Sequence, residues 1–276
     1  MTTVGEALRA AAERLAATSD TARLDAELLM AHALGCSRTD LLLRHLRDPA
    51  PAGIAALIDR RAGHEPVAYI TGTQDFYGRT FSVSPAVLIP RGDSETTVVA
   101  ALEARPAARR VLDCGTGSGA LLLTLLAEIP QALGTGIDRS AEALEIARRN
   151  AAVLDLAARA RLVEADWSRA GWSAGLGRFD LVIANPPYVE DDAALDATVR
   201  DHEPHGALFA GPDGLADYRT LIPQLPALLE PGGAAVVEIG HAQAAAVSAI
   251  AREAGFTAEL RRDLAGRPRA LILRRG

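Results

Sequence analysis

One stretch constrains the fold more than any other. Val111-Leu112-Asp113-Cys114 runs straight into Gly115-Thr116-Gly117-Ser118-Gly119, and the apolar run Ala120–Ile129 follows. The first four residues read as a short strand and the last ten as a helix. The glycines between them let the backbone turn tightly and let a ligand approach it closely. The alternation then continues. A second strand ends at Gly134–Asp138, and a helix covers Ala141–Val153. Strands follow at Ala160–Glu164 and Phe179–Ala184, then a helix at Leu215–Leu229 that Pro223 and Pro226 should kink. Ala234–Ile239 reads as a strand, Ala242–Ala254 as a helix, and the tail as two final strands. Strands alternating with helices predict an α/β fold, a doubly wound and mostly parallel sheet.

The N-terminal part obeys another period. Thr3 and Glu6 form a capping-box pair, and Val4, Ala7, Leu8, Ala11, Ala12 and Leu15 recur at helical spacing. A second helix starts near Asp20 and ends at Gly35, where a C′ glycine belongs. Short helices follow around Thr39–Leu46 and Ile54–Arg61, separated by Asp48-Pro49-Ala50-Pro51. From Pro66 to Pro90 the period changes, and Phe76–Val83 alternates about Gly78 as a β-hairpin does. The expected organisation is a small all-α domain over 1–75, a hairpin linker over 76–92 and the α/β domain over 93–276. A length of 276 residues accommodates that division.

Composition narrows the function. With 49% hydrophobic and 23% charged residues the chain is neither disordered nor fibrous. A net charge of −6 argues against a non-specific nucleic-acid binder. All 29 basic residues are arginine, which with the many alanines reads as codon usage. Cys36 and Cys114 have no second Cys or His at ligand spacing, so no metal site is expected. Two isolated thiols fit a reducing compartment. There is no signal-peptide pattern and no apolar run of ~18 residues, so a cytoplasmic chain without membrane attachment is expected. Nothing points to an obligate oligomer, and a monomer is expected.

Two constellations carry chemistry. Asp138 ends the strand about 20 residues beyond the glycine turn, where a carboxylate can accept both hydroxyls of a ribose. The helix after the turn presents its N-terminus to an anionic group. Gly115, Thr116, Gly117, Ser118, Gly119 and Asp138 therefore predict a nucleoside-containing cofactor in the crevice at the strand ends. Asp166 and Trp167 follow the next strand, where an acid can meet an exocyclic amine and an indole can pack beside the base. The spacing is G-x-G-x-G after Asp113, which departs from the dinucleotide fingerprint.

The second constellation is Asn185-Pro186-Pro187-Tyr188, directly after the apolar strand Leu181–Ala184. Each proline removes an N–H and fixes φ, giving a stiff turn with exposed carbonyls. The Asn185 side-chain oxygen and the Pro186 carbonyl are two fixed acceptors, which suits an NH2 group with two hydrogens. Tyr188 offers a flat surface to a planar group. A conjugated amide or amine nitrogen is a poor nucleophile. Two acceptors orient it and stabilise the positive charge that develops on attack, so no strong base is needed first.

These residues resemble the class I S-adenosylmethionine-dependent methyltransferases, and the wider pattern resembles the peptide-chain release factor glutamine methyltransferases, the HemK/PrmC family. The resemblance spans nearly the whole chain. It is carried by Asp25–Leu29, Glu65–Gly72, Phe76–Gly78, Val87–Arg91, Asn185–Tyr188, Glu203-Pro204, Glu238–Gly240 and Asp263–Arg269. It implies S-adenosyl-L-methionine as cofactor, with S-adenosyl-L-homocysteine as product, held by Gly115, Thr116, Gly117, Ser118, Gly119, Asp138, Trp167 and Asn185. It implies the glutamine of the Gly-Gly-Gln (GGQ) loop of release factors as substrate, held by Asn185, Pro186, Pro187 and Tyr188. Gly92 stands where the family commonly has proline, and Cys114 where it has leucine.

Two other substrates share the chemistry of the turn. One is adenine or cytosine in nucleic acid, the other a ribosomal-protein glutamine. A DNA enzyme must extract its base and grip phosphates. The first 75 residues instead hold 8 Arg against 10 Asp plus Glu.

Overall fold

The computed structural model describes residues 2–276. The chain forms two compact units. One comprises residues up to Thr73 together with Leu195–Glu203; the other comprises Gln74–Ala194 and Pro204–Gly276.

The first unit is helical. Helix α1 (Val4–Leu15) opens on the full Thr3–Glu6 capping box and buries Val4, Leu8, Ala11 and Leu15, the face its periodicity predicts. Helix α2 (Ala22–Leu34) ends on Gly35 in the left-handed region. A one-turn α3 (Arg38–Asp40), capped by Ser37, runs into a π-turn at Leu41–His45. Helix α4 (Ile54–Ala62) follows, then α5 (Val67–Thr71), set between Pro66 and left-handed Gly72. Helix α5 corrects the sequence reading. Five residues are too few to show a helical period, so only their punctuation marks them. The unit has its own apolar core, which includes Val4, Leu8, Leu29, Met30 and Leu41.

The hairpin β1 (Thr73–Phe76) and β2 (Arg79–Ser82) belongs to the second unit from Gln74 onward and begins three residues earlier than Phe76–Val83 implies. Its two-residue turn, Tyr77-Gly78, has positive φ at both positions, the geometry that matches strand twist. Helix α6 (Glu95–Ala104) is a second element the sequence hides. Its Thr-Thr-Val-Val run favours strand, but burial of Thr97, Val98, Ala100 and Ala101 overrides propensity.

The alternation then proceeds as β3 (Arg110–Cys114), α7 (Ala120–Glu128), β4 (Leu133–Asp138), α8 (Ala141–Val153), β5 (Ala160–Glu164) and β6 (Phe179–Ala184). Residues 195–203 belong to the first unit and carry the short helix α9 (Ala197–Arg200). There Thr198 accepts from Arg61 at 3.5 Å, and the His202 ring lies 3.3 Å from the Gly63 carbonyl. Back in the second unit, the expected kinked helix is two pieces. They are α10 (Ala216–Leu221) and α11 (Leu225–Leu228), joined by a 3-10 turn at Ile222–Gln224. Pro223 and Pro226 cannot donate to an α ladder, which breaks it there. Strand β7 (Leu229–Glu238), helix α12 (Ala244–Glu253) and strands β8 (Phe256–Arg262) and β9 (Pro268–Arg275) complete the chain.

The seven-stranded sheet has the order β5-β4-β3-β6-β7-β9-β8. The first five strands pair in parallel; β9 pairs antiparallel with β7 and β8. Strand order reverses between β3 and β6. Apolar clusters cover both faces, one around Leu122, Leu125 and Val236, the other around Phe179, Tyr218 and Leu225.

Candidate active site

Register places the predicted residues in one row. Cys114 pairs with Ile137 on one side and Ala184 on the other, and Ala184 pairs with Val237. One residue further along, Asp138, Gly115, Asn185 and Glu238 therefore stand side by side at the carboxyl edge of the sheet. Gly115 and Asn185 flank the point where strand order reverses, the position where open α/β sheets bind ligands.

The glycine turn is built on β4. Gly115 and Thr116 both donate to the Ile137 carbonyl, at 2.9 and 2.8 Å. Gly115, Gly117 and Gly119 all have positive φ. A Cβ on Gly115 would sit 3.1 Å from Trp167 Cη2, so the glycine lets the indole lie against the backbone. Asn150, buried on α8, steadies the turn from behind. Its amide donates to the Ser118 carbonyl at 2.8 Å and exchanges hydrogen bonds with Ser82 of the hairpin.

A cavity opens over this row. It is lined by Gly115, Thr116, Gly117, Ser118, Asp138, Asp166, Trp167, Asn185 and Pro187 among the residues singled out in the sequence. Gly119, Pro186 and Tyr188 are not in its wall. Gly119 is a packing glycine, since a Cβ there would meet Leu123 Cδ1 at 2.9 Å. Tyr188 is half-buried; burial, and then Glu238 beside it, push its hydroxyl up to about 12. Phe76, Leu88 and Arg91, from segments that carry the family resemblance, also line it, as do Ser94, Arg139 and, on α10, Asp217, none of which stands out as a site residue in the sequence.

Each acid near the cavity has a distinct environment. Asp138 accepts from Gly117 N–H through Oδ2 and from Ser140 N–H through Oδ1, both at 2.9 Å. Each oxygen keeps a second lone pair for a ligand. Asp166 accepts from the Ser168 hydroxyl and N–H, which hold it below the usual carboxylate range. Asp217 accepts from Trp167 Nε1 at 3.0 Å, yet burial raises it. Asp113 lies beneath the turn, fully buried. Its Oδ2 accepts from the Thr116 hydroxyl at 2.7 Å while Oδ1 has no partner, and burial pushes it up to about 7. Cys114 is a buried free thiol, and Cys36 is also free. Among the described residues, no three His, Cys, Asp or Glu groups could hold a metal ion, and no helix is long and apolar enough to cross a membrane.

Comparison with known proteins bears on this geometry. A profile of the PrmC N-terminal domain matches residues 6–72, and one of the methyltransferase small domain matches 91–202. The release factor glutamine methyltransferase of Caulobacter vibrioides is 44% identical over 98% of this chain and 96% of its own length. That of Cereibacter sphaeroides is 44% identical over 98% of this chain and 97% of its own. The chain belongs to the release factor glutamine methyltransferase family. A methyltransferase structure from Pyrococcus furiosus shares the fold, with a TM-score of 0.51 and 17% identity over 78% of this chain and 95% of that one. Membership makes S-adenosylmethionine the cofactor to test against the cavity. The residues fit it. Asp138 has lone pairs for a ribose, Gly115 and Gly117 line the cavity without side chains, and Trp167 gives a planar wall.

Proposed function

We propose that this chain methylates the side-chain amide nitrogen of the glutamine in the GGQ loop of peptide chain release factors, with S-adenosylmethionine as methyl donor. The observation that carries this reading is the stiff Asn185–Tyr188 turn at the carboxyl end of β6, one strand from the glycine turn that ends β3. When bound, S-adenosylmethionine supplies an electrophilic methyl group on a sulfonium sulfur.

The chain's own residues do the rest. Asp138 takes the ribose hydroxyls, and Gly115, Thr116, Gly117 and Ser118 give close backbone approach. Trp167 would pack beside the base and Asp166 would accept from its exocyclic amine. Gly119 contributes by shaping the turn. The Asn185 side-chain oxygen and the Pro186 carbonyl each accept one hydrogen of the glutamine NH2. These two contacts would orient the nitrogen and disperse the positive charge it gains as the N–C bond forms and the sulfonium S–C bond breaks, with S-adenosylhomocysteine as the leaving group. Pro187 keeps the turn rigid, and Tyr188 packs against the planar amide. The surplus proton leaves after attack, so no residue with a matched basic pKa is required.

The test is transfer of labelled methyl from S-adenosylmethionine. Parallel reactions hold a bacterial release factor, its GGQ-to-GGA variant, a ribosomal fraction and duplex DNA. Label on the unaltered factor alone is the expected result. Label on ribosomal protein or on DNA would keep the chemistry and overturn the substrate.

A further inference from the structure

The acceptor turn has a mechanical difficulty. Pro186 and Pro187 have no N–H, so neither can anchor the turn by donating a hydrogen bond. If the Pro186 carbonyl faces the glutamine, it cannot serve as an anchor either. The turn must be fixed from its flanks. On one side strand β6 holds it. On the other, Tyr188 and Val189 N–H both donate to the Leu208 carbonyl, at 3.1 and 2.8 Å. The Tyr188 carbonyl accepts from Gln243 Nε2 at 3.0 Å.

Gln243 precedes α12 and is fully engaged. The same Nε2 donates to the Gly214 carbonyl at 3.2 Å, and Oε1 accepts from Gly240 N–H at 3.0 Å. Two glycines make room for it. A Cβ on Gly214 would run into the Tyr188 carbonyl and lie 2.8 Å from Gln243 Nε2; one on Gly240 would lie 2.7 Å from Gln243 Oε1. Gly214 also has φ of +65°. The segment that Gln243 grips leads to Asp217, which holds Trp167, and to Tyr218, whose hydroxyl donates to the Glu238 carbonyl at 2.9 Å.

We propose that Gln243 is a positioning residue for methyl transfer, its carboxamide fixing the Tyr188 carbonyl and through it the Asn185 and Pro186 oxygens; this assignment rests on the reading of the turn given above. Gln243 is not in the cavity wall. Its loss therefore changes the orientation of the acceptor amide and leaves the ribose and base contacts in place.

Gln243→Glu tests this at constant size. The carboxylate keeps an acceptor for Gly240 N–H but sets a second oxygen against two carbonyls. At pH 8, kcat on the release factor should fall at least tenfold, with the calorimetric Kd for S-adenosylmethionine within twofold of wild type. The ratio of variant to wild-type kcat should climb as pH drops toward 6, because a protonated glutamate donates to one carbonyl again. If this variant does not fold, Gln243→Met, of equal length without the amide, is judged by the same kcat and Kd criteria. Unchanged kcat would overturn the proposal, as would a loss of kcat matched by an equal loss of cofactor affinity. Asn185→Ala run alongside separates the two claims. If it methylates normally, the reading of the turn fails; if it is inactive and Gln243 variants are not, only the role of Gln243 fails.

Discussion

Asp113 gives the structure its most quantitative test. The carboxyl group is fully buried beneath the glycine turn, with one oxygen on the Thr116 hydroxyl and the other unpartnered. Desolvation outweighs that hydroxyl and raises the group from 3.8 to about 7. At about 1.4 kcal/mol per pKa unit, this is roughly 4 kcal/mol. The sign follows from linkage. Below pH 3.8 both folded and unfolded chains hold the proton and nothing is lost. Between 3.8 and about 7 the unfolded chain releases it while the folded chain keeps it, so stability falls as pH rises. Above about 7 the full penalty applies. Asp113→Asn cannot ionise and escapes it. From pH 5 to pH 8 the variant should therefore gain roughly 3 kcal/mol on wild type. Both tryptophans, Trp167 and Trp172, lie in the second unit, so urea titrations followed by indole fluorescence report on that unit alone. A stability difference that stays constant from pH 5 to pH 8 would refute the reasoning.

Asn185→Ala should lose most turnover while cofactor affinity falls less, measured as kcat on a release factor beside calorimetric Kd; normal kcat would remove Asn185 as acceptor. Asp138→Ala should chiefly weaken cofactor binding, by roughly 1–3 kcal/mol for a charged hydrogen-bonding group, and an unchanged Kd would dismiss the ribose role. In the first unit, Arg61 and Asp25 form a buried pair at 2.7 Å, with Ser19 and Thr21 also donating to the carboxylate. Arg61→Ala leaves that charge uncompensated and should cost roughly 3–5 kcal/mol, read from hydrogen exchange of α2 amides. The double change Arg61→Leu with Asp25→Leu should cost markedly less.

The sequence is legible where its signals are local. The Thr3 capping box, the Gly35 cap and the Tyr77-Gly78 hairpin are each encoded within a few residues, and all three are present. The glycine turn and Asp138 are legible because a strand–turn–helix unit fixes their relation. What is hidden depends on distant partners. Helix α6 carries a strand-favouring Thr-Thr-Val-Val run, and only the core that buries it makes it a helix. Asp217 reads as an ordinary acid two residues into a helix, and only the fold brings it to Trp167. Asn150 reads as a helix-terminal polar residue, yet it joins the hairpin to Ser118 across 68 and 32 positions. The segment 195–203 falls inside the span 93–276 expected to be α/β, whereas it belongs to the helical unit.

The choice between a protein amide and a nucleobase is not made at the acceptor turn, because either NH2 satisfies two acceptors. It has to be made by surfaces that meet the rest of the substrate. A nucleic-acid surface needs arginines free to face phosphates at regular spacing. The first unit has nine arginines, and seven pair with carboxylates of the same unit: Arg14 with Asp59, Arg23 and Arg38 with Glu27, Arg44 with Asp40, Arg60 with Glu65, Arg61 with Asp25 and Arg200 with Asp201. The exposed ones among these add little stability, but all of them help cancel the field that would draw a polyanion. Partly exposed Leu24 and Leu28 on α2, with Leu43 and Leu46 beyond it, are apolar instead. A surface of neutralised charge and scattered leucine is chemically suited to a folded protein partner, and the duplex DNA reaction set beside the release factor measures that preference directly.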